Sequence, residues 1–376
     1  MECWGLELSV IACSAAISAC EKSEEAWHRA LDLLLDMQCR GLVPDAITYN
    51  AAISACEKGK AWQQALSLLT EMEAIGLELG LITCSAAISA CEKSAQWRHA
   101  LQIFEDARGW WGLDLDVIAY SAAISACSRG TEWERALLLF QYIWDWHVEP
   151  DIIAFNAAIN ACEKGRRWEQ ALQLLHQAHQ LSLRPNAFTY NAAISACSGD
   201  QRWEQALRLL SEMRHYGLTP TVISYNALLG ASERGWDWQR SLSLLRWMPG
   251  QDSKPDAITY TAAISACEKS LRWELALELL DEMPAQGLEA DAICYSAAML
   301  ACSGGQQWRR LLALLDEATA LALSPDLRTF SMLLMECEQD CLRGGEDRIL
   351  EGLTATAFAR GTEAAAAFAE AVACVS

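Results

Sequence analysis

The chain is 376 residues long, 52% apolar and 21% charged, with a formal net charge of −20. No run of 18 or more apolar residues occurs, which excludes a transmembrane helix, and no charged segment followed by an apolar stretch marks a signal peptide. The charge argues for a well-solvated surface and against non-specific attraction to nucleic acid or anionic membranes.

From Ala15 onward one string, AAISAC, keeps returning: from Ala51, Ala86, Ala122, Ala157 (as AAINAC), Ala192 and Ala262. Looser copies start at Ala227 (ALLGAS) and Ala297 (AAMLAC). Tryptophans run in step at Trp27, Trp62, Trp97, Trp133, Trp168, Trp203, Trp238, Trp273 and Trp308, 35 residues apart except for one interval of 36. A fixed period of this length marks a solenoid, which grows by stacking and needs no central core. It overrides the two or three globular domains that length alone suggests.

Two helices are expected in each period. In residues 46–80, Ile47, Tyr49, Ala52, Ile53 and Cys56 recur at helical intervals and form one apolar face. Gly59 and Lys60 interrupt it. Trp62, Ala65, Leu66, Leu69 and Met72 mark a second amphipathic face, which Gly76 stops. Elsewhere the unit closes in Gly-Leu-x-Pro-Asp, as at 41–45, where Pro44 cannot continue a helix. Ala30, Ala65, Ala100, Ala136, Ala171, Ala206 and Ala276, three residues after the tryptophan, allow close helix approach, and the tryptophan is expected to anchor one repeat on the next. The fold class is all-α, a solenoid of tandem helix-turn-helix repeats.

This frame gives nine tandem repeats across 10–326: 10–45, 46–80, 81–116, 117–151, 152–186, 187–221, 222–256, 257–291 and 292–326. Residues 327–376 are expected to hold a degenerate tenth repeat, with Phe330 and Cys337 in register, and a capping helix in EAAAAFAEAVA. Residues 1–9 end in Gly-Leu-Glu-Leu-Ser, which resembles the closing turn of a preceding repeat or an N-terminal cap. That is the start expected of a piece of a longer array, whose missing part would carry any organelle-targeting peptide.

Sixteen cysteines suggest a disulfide or metal framework until they are placed. Cys20, Cys56, Cys91, Cys127, Cys162, Cys197, Cys267, Cys302 and Cys337 occupy one repeat position. Such residues in adjacent repeats lie about 10 Å apart, one helix diameter, too far to bridge. A small buried core residue in a reducing compartment is the expectation.

The unit I-T-Y-N-A-A-I-S-A-C-E-K-G, then A-L-x-L-L-x-E-M, then G-L-x-P-D resembles the pentatricopeptide repeat, in a tryptophan-rich, AISACEK-type version. Tetratricopeptide repeats have a period of 34 and a W-x2-L-G-x2-Y pattern absent here. The resemblance implies a right-handed superhelical α-solenoid that binds single-stranded RNA of an organellar transcript, one base per repeat, in a chloroplast or mitochondrion. Processing, stability, editing or translation would follow from occupancy or from recruited RNA-processing enzymes.

By that resemblance, the fifth and last residues of each repeat read the base. The pairs are Ser14 with Asp45, Asn50 with Gly80, Ser85 with Asp116, Ser121 with Asp151, and Asn156 with Asn186. They continue as Asn191 with Thr221, Asn226 with Asp256, Thr261 with Asp291, and Ser296 with Asp326. The family's code turns Ser or Thr with Asp into G, Asn with Asp into U, and Asn with Asn into a pyrimidine, giving 5′-GNGGYYUGG-3′. Asp at a repeat's end would equally cap the next helix.

The second residues, Ile11, Ile47, Ile82, Ile118, Ile153, Phe188, Ile223, Ile258 and Ile293, would sandwich the bases or simply fill the core. The thirteenth are basic at Lys22, Lys58, Lys93, Arg129, Lys164, Arg234 and Lys269, which suits phosphates or a helix C-terminus equally.

No catalysis is expected. His176 and His179 share a helix face without a carboxylate or cysteine around them, so no metal site is read there, and no cofactor is implied. The HxE…CxxC deaminase signature and Gly-rich phosphate loops are absent. The expected state is a monomer. A competing class is an α-solenoid scaffold that binds a protein partner without RNA.

Overall fold

The computed structural model describes residues 10–20, 26–199, 202–234, 238–248, 253–321 and 323, with side chains omitted at 199 and 231–234. The expected cap at 1–9, the tenth repeat and capping helix at 327–376, Lys22, Asp326 and the Arg234 side chain lie outside what is described. Among the described residues there are eighteen helices and no strand. The first helices of the repeats are α1 (Val10–Cys20), α3 (Ala46–Lys58), α5 (Leu81–Lys93), α7 (Val117–Arg129), α9 (Ile152–Lys164), α11 (Ala187–Gly199), α13 (Val222–Arg234), α15 (Ala257–Lys269) and α17 (Ala292–Gly304). The second helices are α2 (Trp27–Cys39), α4 (Trp62–Ile75), α6 (Trp97–Gly109), α8 (Trp133–Asp145), α10 (Trp168–Gln180), α12 (Trp203–His215), α14 (Trp238–Trp247), α16 (Trp273–Ala285) and α18 (Trp308–Ala320).

The chain divides into two compact units, residues 1–196 and 197–376. In the first, α1 stacks on α3, α3 on α5, α5 on α7 and α7 on α9. Helices α2, α4, α6 and α8 each lie against their own first helix and the one that follows. The second unit repeats the scheme with α13, α15 and α17 stacked and α14 and α16 set between them. This is an all-α helical-repeat solenoid.

A first helix touched on several sides must be narrow and apolar almost all round. On α7, Ala119, Tyr120, Ala122, Ala123, Ile124, Ala126 and Cys127 are all buried. The alanines bring the backbones together, and the once-per-repeat cysteine fills the remaining space. Burial pushes the thiols of Cys56, Cys91, Cys127 and Cys162 up to about 12, so they stay protonated and inert at neutral pH. Among the described residues the cysteines are thiols, with no disulfide. Second helices bury one face, as with Ala136, Leu139, Phe140 and Ile143 on α8.

The tryptophans do anchor successive repeats. Trp27, Trp97, Trp133 and Trp273 lie over Gly59, Gly130, Gly165 and Gly305 of the following repeat, so closely that an added Cβ would come within 2.0, 2.2, 2.4 and 2.1 Å of the ring carbons. Arginines of the next repeat cover the exposed ring faces: Arg135 over Trp97, Arg167 over Trp133, Arg272 over Trp238 and Arg310 over Trp273, at 4.9, 4.3, 5.0 and 4.5 Å. Gly76 ends α4 with a φ of 80°, in the left-handed region that glycine adopts without strain.

One expectation needs correcting. Ile47 does not share the buried face of Tyr49, Ala52, Ile53 and Cys56; it is exposed to solvent. Tyr49 lies two positions after Ile47, which on a helix is about 200° of rotation, so the two point to opposite sides.

Candidate nucleic-acid interface

In the first eight repeats the last residue stands immediately before the next first helix, at its N-cap position. The Oδ1 atoms of Asp45, Asp116, Asp151, Asp256 and Asp291 accept the backbone N–H of Thr48, Ala119, Ala154, Thr259 and Cys294 at 2.8–2.9 Å, and Asn186 accepts that of Thr189 at 3.1 Å. Capping and base reading are compatible, because a carboxylate has two oxygens. Hydrogen bonds from the Thr48 hydroxyl and amide hold Asp45 below the usual carboxylate range. Burial pushes Asp256 up, but bonds from Thr259 and Asn226 outweigh it and hold this carboxyl below that range too. Gly80 has no side chain to offer, and at α13 the Thr221 N–H instead donates to the Ser224 hydroxyl.

The fifth residues fall into two kinds. The hydroxyls of Ser14, Ser85, Ser121, Thr261 and Ser296 point back along their own helices, to the carbonyls of Val10, Leu81, Val117, Ala257 and Ala292, at 2.7–2.8 Å. With that proton spent, such a side chain shows lone pairs to a ligand; Ser14 and Thr261 also meet the third residue of the next repeat, Thr48 Oγ1 at 2.7 Å and Cys294 Sγ at 2.9 Å. Asn50, Asn156 and Asn226 instead have Oδ1 occupied by the hydroxyl of Thr83, Thr189 and Thr259 in the following repeat, at 2.5, 2.5 and 2.8 Å. Their Nδ2 groups are the ones left to donate. Asn226 Nδ2 also donates to both oxygens of Asp256, at 3.2 and 3.4 Å, so here the fifth and last residues of one repeat touch directly. Asn191 is half-buried on α11.

The second residues are exposed in every repeat, from 57% at Phe188 to 81% at Ile11. They are not core. In the first unit, a groove of 410 Å³ collects them with the polar positions: Ile118, Ile153, Phe188, Ser121, Asn156 and Asp151 all line it, and Arg129 stands at its edge. Repeat 117–151 thus brings its second, fifth and last residues to one surface, joined by the second and fifth of repeat 152–186 and the second of repeat 187–221. A larger groove of 550 Å³ opens between α12 and α14, lined by Trp203, Leu207, Arg214, Arg240 and Trp247; it lies among second helices and includes none of the expected reading positions.

The thirteenth-position cations are not isolated. Lys93 pairs with Glu57 at 2.9 Å and Arg129 with Glu92 at 3.4 Å, each across a repeat boundary. Lys164 lies 3.9 Å from its neighbour Glu163. Lys58 and Lys269 occupy the last turns of α3 and α15. Ser125 and Ser195 donate to Glu92 and Glu163, which fixes these carboxylates in place. His179 meets the hydroxyl of Tyr190 at 3.0 Å and His176 meets Gln180 at 3.0 Å; no cluster suited to a metal occurs among the described residues. Nor is any described helix long and apolar enough to cross a membrane.

Two contributors escaped the sequence reading: the threonines at the third position and the glutamates at the twelfth. Both act on residues 33 to 37 positions away. Their recurrence in ITY and CEK was visible in the sequence, but nothing local tied them to the reading positions.

The chain matches three family descriptions: the PPR repeat family at 150–199, 185–232 and 255–304, the pentatricopeptide repeat domain at 1–59 and 111–164, and the PPR repeat at 47–77. No curated protein matches it. Among solved structures it is similar to the pentatricopeptide repeat protein PPR10 in complex with an 18-nt psaJ RNA element, with a TM-score of 0.71 and 17% identity over 95% of this chain and 57% of that one. It also resembles the pentatricopeptide repeat protein PPR10 from maize, at a TM-score of 0.55 and 22% identity over 97% and 59% of the two chains. Yeast Rmd9p in complex with 16-nt target RNA follows, with a TM-score of 0.53 and 10% identity over 92% and 89%. The chain thus spans less than two thirds of the length of PPR10. At these identities the structures establish a shared fold. With that fold, the 35-residue unit and family matches in both compact units, the chain belongs to the pentatricopeptide repeat family.

Proposed function

We propose that this protein binds single-stranded RNA in a sequence-specific manner, one base to each repeat of the 10–326 array. The observation that carries the reading is the groove of the first unit, where exposed Ile118, Ile153 and Phe188 alternate with Ser121 and Asn156. An apolar side chain on either side of a polar one is what a flat, hydrogen-bonding ring requires. The bases stack between second residues, while the fifth and last residues meet their edges.

Donor and acceptor chemistry supports the code. A serine whose proton goes to its own helix, beside a carboxylate, forms an acceptor pair, and guanine offers adjacent N1–H and N2–H donors on its Watson–Crick edge. An asparagine with Oδ1 tied displays an amine, which suits the O2 acceptor shared by cytosine and uracil. In chain order the array therefore reads 5′-GNGGYYUGG-3′. Lys93, Arg129 and Lys164 lie along the same first helices to meet phosphates, the role also given to Lys22, Lys58, Arg234 and Lys269. The net charge of −20 works against binding and weakens it, and the phosphate contacts make it sensitive to salt. The setting is an organellar transcript in chloroplast or mitochondrion, where the monomeric protein acts by occupancy or by recruiting processing enzymes, and itself catalyses nothing.

Binding of that nine-nucleotide RNA, compared with a scrambled oligonucleotide of the same composition, tests the proposal. The expected result is a clear preference for the ordered sequence; equal affinity would sink the code. Co-purification after nuclease treatment covers the scaffold alternative: protein partners that survive it, with no RNA recovered by crosslinking, would favour that class.

A further inference from the structure

The contact between the fifth residue and the threonine three residues into the next repeat recurs wherever it is described with Asn in place. Thr83, Thr189 and Thr259 are buried almost completely. A buried hydroxyl must use its proton, and each of these lies against an asparagine Oδ1; that of Thr259 is shared with Asp256 Oδ1, at 2.7 Å. Two of these amides have their orientation settled by independent neighbours. Asn226 must turn its nitrogen toward Asp256, because an ionised carboxylate only accepts, so its oxygen faces Thr259. At Asn156, Thr189 already accepts the backbone N–H of Asn186 at 3.1 Å, and its own proton goes to the shorter contact, Asn156 Oδ1 at 2.5 Å.

Asn50 is the informative case. Its repeat ends in Gly80, so no last side chain takes part, and the family's code leaves the second nucleotide unread. Yet Thr83 meets Asn50 Oδ1 at 2.5 Å, as close as in the repeat that ends in Asn186. We infer that Thr83 orients the Asn50 amide and makes the second nucleotide a pyrimidine, so that base choice in one repeat is set in part by the third residue of the next. The tether fixes Nδ2 as the displayed group and prevents the amide from swinging aside. Asparagine reaches one bond farther than serine, which leaves room for a single ring opposite it, and that ring's O2 accepts the amine. Thr83 is a positioning residue here.

The inference rests on the proposed base-by-base reading, and the test separates the two. Affinities are measured for 5′-GXGGCCUGG-3′ with X as A, C, G or U, beside the scrambled oligonucleotide. The wild-type chain should prefer C and U at X by about 3- to 10-fold, the range of one hydrogen bond. Thr83→Val keeps the branched shape and removes the hydroxyl; it should bring the four affinities within about twofold, at the low end of that range. Thr83→Ser should restore the preference. Discrimination at the fourth nucleotide, opposite Ser121, should stay unchanged in both variants, which a general loosening of the fold would not allow. Equal affinities at X for the wild-type chain, with the ordered RNA still beating the scramble, would overturn this inference and leave the base-reading proposal standing. So would a preference that survives Thr83→Val. Failure of the ordered RNA to beat the scramble overturns both.

Discussion

The first and second helices of a repeat differ in where their apolar residues go. On α8, Leu138, Tyr142 and Trp144 are exposed, but their counterparts change from repeat to repeat: Leu35 on α2, Ile75 on α4, Leu207 on α12. On the first helices the exposed apolar residue never changes place. Among the large side chains described it is always the second, and on helices such as α3, α5, α7 and α9 it stands beside residues that are otherwise mostly buried. Scattered exposed hydrophobes are ordinary on a protein surface, whereas a row in register is a patch that asks for an occupant. The second helices hold the stack together, and the first helices also present something.

The sharpest way to break that comparison is to truncate neighbours on α7. Tyr120 is buried against Phe104, edge to face at 4.9 Å, and Ile118 two residues earlier is exposed. Tyr120→Ala should cost about 3–5 kcal/mol, the range for removing a buried aromatic side chain. Ile118→Ala should stay within about 0.5 kcal/mol of the parent in stability yet weaken RNA binding. Urea denaturation followed by circular dichroism, run beside a binding titration, reads both. If Ile118→Ala unfolded the protein as readily as Tyr120→Ala, the row of second residues would be packing after all.

A smaller effect is expected where the tryptophan anchor meets the next repeat. Gly130→Ala places a Cβ 2.2 Å from Trp97 Cδ1, so the indole or the turn must move. About 1–3 kcal/mol should be lost, as in other overpacked sites. Ser94 holds the corresponding turn position one repeat earlier, so the scaffold has a way to accommodate a side chain there, at the expense of the tight seat. A melting temperature equal to the parent's would mean that the ring shifts freely and that the second helices are less tightly keyed than their geometry implies.

Much of this architecture was legible from periodicity alone. Each described second helix begins at the tryptophan that marks it in the sequence, and Gly76 and Gly59 stop helices where their chemistry predicts. The family resemblance, rather than any spacing, named the reading positions. What stayed illegible depends on pairs that lie a whole repeat apart. A helical pattern assigns Ile47 to an apolar set without saying which side meets the neighbouring repeat. Likewise, CEK reads as a glutamate next to a lysine on one helix, when the stronger partner of Lys93 is Glu57, 36 residues back. Stacking brings such residues together, and a single repeat does not contain the information.

Those glutamates yield the smallest and most discriminating prediction. Glu92 is largely buried, accepts from Ser125 at 2.7 Å and lies 3.4 Å from Arg129, whose side chain is half exposed. The carboxylate partly neutralises a cation on the face that would meet phosphates. Glu92→Gln keeps the shape and an acceptor for Ser125 but removes the charge. Partly exposed ion pairs contribute about 0.2–1 kcal/mol, so stability should hardly change. RNA binding should strengthen a few-fold at low salt. Its dependence on salt should also steepen, by up to about 0.7 in the slope of log K against log salt if Arg129 gains one full phosphate contact. An affinity and slope identical to the parent's would remove Arg129 from the phosphate path and confine the interface to the exposed second residues and the polar readers between them.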